Sequence, residues 1–200
     1  MAGKQDHTQD YHRIISRLPA LPQPLDPISA KLFSDTQARG GHVLNLHLTT
    51  AHAPRLVETK RPFSMALRNE CQVSRALREL TIVRTGLILN CPYELDHHIP
   101  LAVQAGITQA QIDALGEWQT HAVLFSPQEQ ALLRFFDELF ANQGDVSDAV
   151  FAALSAHFAP QEIMELLFTA TTYQANAYIL KSLRIQKDQP HVRATPGKFD

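Results

Sequence analysis

Apolar residues recur at helical spacing along most of this chain. The clearest case lies near the C-terminal end, where one stripe of a predicted helix consists of Ile163, Leu166, Leu167, Ala170, Tyr173 and Ala177. Residues suited to begin a helix precede this and other apolar stretches, namely Asp26-Pro27, Ala53-Pro54, Ser74, Cys91-Pro92, Thr108, Ser126-Pro127 and Ala159-Pro160. The pattern predicts an all-α fold.

One segment departs from this period. Val43, Leu44, Leu46 and Leu48 alternate with polar residues, which on period alone favours a strand. A lone strand would have no partner for its backbone groups in a chain otherwise composed of helices. We therefore expect helix here as well.

Composition narrows the class of protein. The 200 residues carry 18 Lys and Arg against 20 Asp and Glu, a net charge of −2, which argues against a nucleic-acid-binding protein. No apolar run is long enough to span a membrane, and the polar N-terminus lacks the core of a signal peptide. With two cysteines, Cys71 and Cys91, no disulfide framework is expected, and the predicted location is the cytoplasm. We expect one domain over residues 1–200, with a core at about 40–185 and flexible tails at 1–10 and 187–200.

The predicted helix after Ser74 carries a carboxylate in an unexpected place. On a helical wheel, Arg78, Thr81 and Thr85 cluster on one side, which we take as the solvent face. Glu79 lies inside the opposite, apolar arc, where an isolated charge would be too costly, so it must be paired, protonated or facing a cavity. Gly86, two turns on, leaves room for a neighbouring helix or a small ligand.

The next predicted helix places three chemically active residues on one face. Cys91 begins it, where the helix dipole is expected to lower a thiol pKa, and Glu94 and His98 follow at helical spacing. Such a stack can relay protons. The alternative is an ordinary Glu–His pair beside a buried, inert cysteine.

A metal site is the less favoured interpretation. Carboxylate and imidazole ligands are present, but His-Glu-x-x-His and paired-cysteine spacings are absent from the sequence. We predict neither a metal nor an organic cofactor.

Three motifs in order resemble the carboxymuconolactone decarboxylase and AhpD-like superfamily. They are Arg-Glu-Leu-Thr-Ile-Val-Arg at 78–84, Tyr-Glu-Leu-Asp-His-His at 93–98 and Ala-Gly-Ile-Thr at 105–108. The resemblance implies an all-α bundle of helical hairpins that forms homo-oligomers, whether dimer, trimer or hexamer. In the family's peroxidase branch the site is a Glu, a Cys-x-x-Cys pair and a His. Here Glu79, Cys91 and His98 match three of these residues, while Glu94 occupies the position of the second, peroxide-attacking cysteine.

The leading functional hypothesis is therefore a lyase-type enzyme that acts on a small organic acid or lactone. Glu79, Glu94 and His98 would carry the acid–base chemistry, and Arg84 and Tyr93 would bind substrate. The first alternative is a hydroperoxidase that uses Cys91, and the second is a non-catalytic helical oligomer. No nucleic acid or membrane is expected as a partner.

Overall fold

The computed structural model describes residues 10–189, and the described chain is all-α. Its helices are α1 (Pro27–Ala38), α2 (Asn45–Thr50), α3 (Pro54–Asn69), α4 (Arg75–Ile88), α5 (Pro92–Gln104), α6 (Gln109–Ala114), α7 (Pro127–Ala141), α8 (Asp148–Ser155) and α9 (Pro160–Ser182). A 3₁₀ segment, Leu115–Leu124, joins α6 to the stretch before α7. The predicted all-α class is confirmed. Within residues 10–189, every helix is too short or too polar to cross a membrane.

Side-chain caps account for most of the helix starts that the sequence predicts. The Asp26 carboxylate accepts the backbone N–H of Ile28 at 2.9 Å, at the start of α1. Reciprocal capping boxes begin α6, between Thr108 and Gln111, and α7, between Ser126 and Glu129. These caps satisfy backbone donors that have no partner within their own helix, which is why the polar residue stands at each start.

The alternating segment at 43–48 is helical, as expected, since α2 covers most of it. Val43 and Leu48 are both buried. A strand would direct these two side chains to opposite faces, because an odd number of positions separates them. In the structure Val43 precedes the start of α2 and Leu48 lies within α2. Two elements were not predicted, the 3₁₀ segment and α8. The 3₁₀ segment continues directly from the end of α6, and α8 follows a short polar break without the proline that marks several of the other starts.

The described residues form two compact units, one of residues 10–60 with 183–189 and the other of residues 61–182. In the smaller unit a separate core consists of Ile15, Leu21, Phe33, Val43, Leu48 and Ala51. This core begins well before residue 40, where the sequence had placed its start. The single domain expected over residues 1–200 stays a prediction.

Hydrogen bonds secure the C-terminal end of the smaller unit. Gln186 N–H donates to the Ile15 carbonyl at 2.8 Å, and Asn45 N–H donates to the Asp188 carboxylate at 2.8 Å. Residues 187–189 are the described part of the expected flexible tail. Within them, the Asp188 side chain is held by its hydrogen bond from the Asn45 backbone. The rest of the two expected tails, residues 1–9 and 190–200, lies outside the described residues.

The larger unit is built around α4, which packs against α5, α7 and α9. Gly86 permits the close approach of α5, because a Cβ at this position would lie 3.0 Å from Cδ2 of Leu95. The room expected at Gly86 is therefore filled by the neighbouring helix. This packing brings the side chains of α5 against those of α4.

The expected solvent face of α4 is wrong for Thr81 and Thr85, which are both buried. Their hydroxyls donate to the carbonyls of Leu77 at 2.9 Å and Thr81 at 2.8 Å, one turn back. A threonine satisfied by its own helix can be buried without an unpaired polar group, so polarity alone does not mark a solvent face.

Replacing Phe136, a fully buried residue of α7, should test the core of the larger unit. We expect Phe136→Ala to lower the free energy of unfolding by about 3–5 kcal/mol, because it removes apolar contacts and leaves a cavity. Urea denaturation followed by circular dichroism measures the change. The matched control is Phe151→Ala on α8, where the ring is 48% exposed and the loss should be much smaller. Equal losses in the two variants would contradict the assignment of this core.

Candidate active site

Three helices of the larger unit bring four polar side chains together below the surface. Glu79 comes from α4, Glu94 and His98 from α5, and Tyr173 from α9. Glu79, Glu94 and His98 are 7%, 5% and 8% exposed. The structure therefore unites three of the predicted catalytic residues and adds a tyrosine.

The shortest contact in this cluster joins α4 to α5. Nδ1 of His98 lies 2.8 Å from Oε2 of Glu79, within hydrogen-bond distance. Since a carboxylate only accepts, the proton of this bond belongs to Nδ1. Glu79 thus sets the orientation of the imidazole and leaves Nε2 as the acceptor in the neutral ring.

On its other side, the imidazole faces the second carboxyl group. Nε2 of His98 lies 3.6 Å from Oε2 of Glu94, too far for a direct hydrogen bond. The other oxygen, Oε1, is buried and accepts no hydrogen bond from the described residues. A buried carboxyl oxygen with no partner is unusual, and it leaves Glu94 able to bind a further group.

Burial is the largest influence on Glu94 and raises the pKa of its carboxyl. The positive charges of His98, His97 and Arg68 lower this pKa in part, as does a hydrogen bond with the Asn176 side chain. The net shift favours the protonated acid. Glu94 is therefore suited to donate a proton close to His98, which is suited to accept one.

Tyr173 covers the imidazole from α9. The two rings meet edge to face, with centroids 4.7 Å apart. Burial raises the pKa of the Tyr173 phenol, and the charge of Arg68 and its hydrogen bond to the phenol only partly lower it. The phenol consequently stays protonated at neutral pH.

A second arginine, Arg75, lies at the exposed edge of the cluster. Its Nε is 3.7 Å from Oε1 of Glu79, and its side chain is 45% exposed. Arg68, Arg75 and the position of Tyr173 beside His98 were not predicted. Only the spacing of Arg75, one turn before Glu79, was visible in the sequence.

Cys91 precedes α5 as predicted, but its thiol does not have the expected character. The residue is 1% exposed, and burial raises the pKa of the thiol. Backbone N–H groups of Glu94 and Tyr93 lower this pKa only in part. The lowered pKa expected from the helix dipole is therefore wrong, because desolvation outweighs the dipole.

The two predicted substrate-binding residues have other contacts. Nε of Arg84 donates to the Asp137 carboxylate at 2.7 Å, and its Nη1 donates to the carbonyl of Leu115 at 2.8 Å. The Tyr93 ring is buried against His97, with centroids 4.9 Å apart. The structure does not bring Arg84 into the cluster, and its guanidinium is occupied by a structural ion pair.

Across residues 10–189, no group of three or more His, Cys, Asp and Glu side chains has the arrangement of a metal site. The cluster instead offers an imidazole held by a carboxylate, a carboxyl group whose pKa burial raises, and a protonated phenol. This set can accept a proton at one atom and donate one at another, which is the requirement of general acid–base catalysis.

Comparison with known proteins agrees with this architecture. Residues 54–138, which include α4 and α5, match the family described as carboxymuconolactone decarboxylase. The sequence matches no curated protein.

Solved structures share the fold at low sequence identity. A peroxidase-related protein with an alkylhydroperoxidase AhpD core, from Ralstonia eutropha, is 20% identical with a TM-score of 0.75, covering 90% of this chain and 96% of its own. A peroxidase-related protein from Silicibacter is 16% identical with a TM-score of 0.74, covering 95% and 98%. The debrominase Bmp8 is 16% identical with a TM-score of 0.69, covering 88% of this chain and 93% of its own. These likenesses show the AhpD-like fold.

The environment of Cys91 predicts low reactivity toward peroxide. We expect the native protein, treated with one equivalent of hydrogen peroxide and then dimedone, to form no sulfenic adduct on Cys91, because its thiol is buried and largely protonated. Mass spectrometry of the digested protein measures the adduct. Protein treated in 8 M urea serves as the control, since unfolding exposes the thiol. An adduct on Cys91 in the native protein would show this prediction to be wrong.

Proposed function

We propose, from the match of residues 54–138 to the carboxymuconolactone decarboxylase family, that this protein is an enzyme that acts on a small organic acid or lactone by Glu/His acid–base chemistry. The observation that carries this proposal is the buried imidazole of His98, held at Nδ1 by Glu79 and facing Glu94 at Nε2. The chemistry needs no group beyond these side chains.

Each residue takes a distinct role in the proposed reaction. Glu79 orients His98 and stabilises the imidazolium that forms when Nε2 accepts a proton from substrate or water. Glu94, whose pKa burial raises, donates a proton to the oxygen or carbon at which negative charge develops. In a decarboxylation, the electrons of the broken carbon–carbon bond pass into an enol or enolate as carbon dioxide leaves. A proton from Glu94 or His98 then completes the new carbon–hydrogen bond.

Thiol chemistry is the weaker candidate. The peroxidase-related names belong to neighbours that are at most 20% identical, so they carry the fold and not the reaction. One solved form of the debrominase Bmp8 is a cysteine-to-alanine variant in complex with 2,3,4-tribromopyrrole. In this chain the candidate thiol, Cys91, is buried with a raised pKa. A reaction through its thiolate is correspondingly disfavoured.

A purely structural role for the cluster is also the weaker alternative. Structural carboxylates in protein interiors have their oxygens satisfied, as Asp137 does through Arg84, Trp118 and Gln119. Oε1 of Glu94, in contrast, is buried and accepts no hydrogen bond from the described residues. A buried acceptor without a donor destabilises a protein core, whereas in a binding site a ligand can supply the missing hydrogen bond.

A cytoplasmic homo-oligomer stays a prediction. The outer face of α9 exposes Met164, Phe168 and Tyr178 within one arc of the helix, which supports an association through that face.

Loss of the proton-transfer pair should remove activity without unfolding the protein. We expect Glu79→Gln and His98→Asn each to lower kcat by about 10²–10⁴, because general acid–base catalysis supplies a factor of that size. The substrates are a panel of β-keto acids and lactone carboxylic acids, and the product is followed by ¹³C NMR. Glu117→Gln, an exposed glutamate on the 3₁₀ segment, is the matched control and should retain full activity.

Full turnover by both variants would overturn the assignment of Glu79 and His98. Absence of turnover by the wild-type protein across the panel would count against the proposed substrate class.

The protonated state of Glu94 can be tested without a substrate. Because its folded-state pKa is raised above the ordinary value of 4.5, the folded protein holds a proton that the unfolded chain releases at lower pH. The stability this contributes is fully present below 4.5 and is lost as pH rises through the folded-state pKa.

We therefore expect the free energy of unfolding of the wild-type protein to fall relative to that of Glu94→Gln as pH rises from 4 to 8. Urea titrations of both proteins at each pH measure this difference. A relative gain in wild-type stability with rising pH would contradict a raised pKa for Glu94.

A further inference from the structure

Two guanidinium groups border the His98 cluster and come from different helices. Nε of Arg75, on α4, lies 3.7 Å from Oε1 of Glu79, and nearly half of the Arg75 side chain is exposed. Arg68, in the last turn of α3, is an exposed residue whose side chain hydrogen-bonds the Tyr173 phenol. Glu79 and Tyr173 both contact His98, so each arginine contacts a direct neighbour of the same imidazole.

The end of α3 that carries Arg68 is fixed to α4. Nη1 of Arg78 donates to the carbonyl of Leu67 at 2.5 Å and to that of Arg68 at 2.7 Å. These bonds satisfy carbonyls that the end of a helix leaves without partners. They also set the position of the Arg68 backbone relative to Arg75, three residues before Arg78 on the same helix.

Two cationic side chains, Arg68 and Arg75, border the cluster. The carboxylate of Glu79 already accepts from His98. Its contact with Arg75 is long, at 3.7 Å, and an arginine guanidinium carries five N–H donors. Two arginines beside one already bonded carboxylate provide more donors than that carboxylate can use.

Arg84, the other candidate to bind a substrate carboxylate, already has hydrogen-bond partners within the protein. Arg84, which the sequence suggested as the holder of a substrate carboxylate, donates to Asp137 and to the carbonyls of Leu115 and Gly116. A substrate anion near His98 would therefore have to be bound by other cations.

We propose that Arg68 and Arg75 form the carboxylate-binding subsite of this enzyme and select short oxo acids as its substrates. The assignment rests on the proposed function. The carboxylate binds between the two guanidinium groups, in the charge-assisted geometry that arginine favours. The unpartnered end of Glu94 then donates its proton to the oxo group, the acceptor that its buried position lacks.

Binding of 4-oxopentanoate tests the subsite directly, with its uncharged methyl ester as the matched probe. Isothermal titration calorimetry should show the acid binding at least about tenfold more tightly than the ester, because a hydrogen bond to a charged group contributes a factor of that size. Arg68→Met and Arg75→Met should each weaken binding of the acid by about tenfold and leave binding of the ester unchanged.

Three further variants complete the design. Arg68→Lys and Arg75→Lys keep the charge and should retain part of the preference for the acid, which also covers the case in which a methionine variant fails to fold. Arg134→Met, an exposed arginine of α7 outside the cluster, should bind both probes like the wild-type protein.

The outcomes separate this inference from the proposed function. His98→Asn should bind the acid as the wild-type protein does, because the arginines remain, while losing turnover. Selective loss of acid binding in the arginine variants supports the subsite even if no turnover is found. Equal binding of acid and ester by the wild-type protein, absence of binding by it, or unchanged acid binding in both methionine variants would overturn the subsite, whatever the activity.

Discussion

The stretch of α4 from Glu79 to Gly86 is buried, and the polar side chains of this stretch must be satisfied inside the protein. The two threonines of this stretch bond to their own helix, and Arg84 bonds to Asp137. Glu79 has no partner on its own helix other than the long contact to Arg75, so its hydrogen bond to His98 is what makes its burial possible. Docking of α5 on α4 and assembly of the site are consequently the same event.

Helix α4 carries two buried charged side chains, Arg84 and Glu79, and the hydrogen bonding around them differs. Around Arg84 and Asp137 the hydrogen bonding is extensive, with Trp118 and Gln119 also donating to Asp137 and backbone carbonyls accepting from Arg84. Around His98 it is incomplete, because Nε2 and Oε2 of Glu94 are 3.6 Å apart and Oε1 is bare. The first network stabilises the bundle. The second leaves acid and base positions open to a ligand.

A glutamate in place of a cysteine changes the chemistry that this site can perform. Glu94 occupies the position that a reactive cysteine has in the peroxidase branch of the family that the motifs resemble. A carboxyl group there cannot undergo thiol oxidation, and burial in the same place raises its pKa, which favours its protonated form. The remaining thiol, Cys91, is desolvated and protonated. The environment that would suppress a thiolate thus favours a carboxylic acid, which supports acid–base chemistry over redox chemistry.

Most of the helices, several of their caps and three residues of the site could be predicted from the sequence, because these depend on local spacing. Asp26, Thr108 and Ser126 cap helices through residues two or three positions away, and Glu94 and His98 share a face because four residues make about one helical turn. Only the tertiary structure decided that Arg84 pairs with Asp137, 53 positions later, and that Tyr173 packs on His98. It also decided the protonation of Cys91 and Glu94. Those properties depend on desolvation by distant segments, and no local pattern records how deeply a side chain is buried.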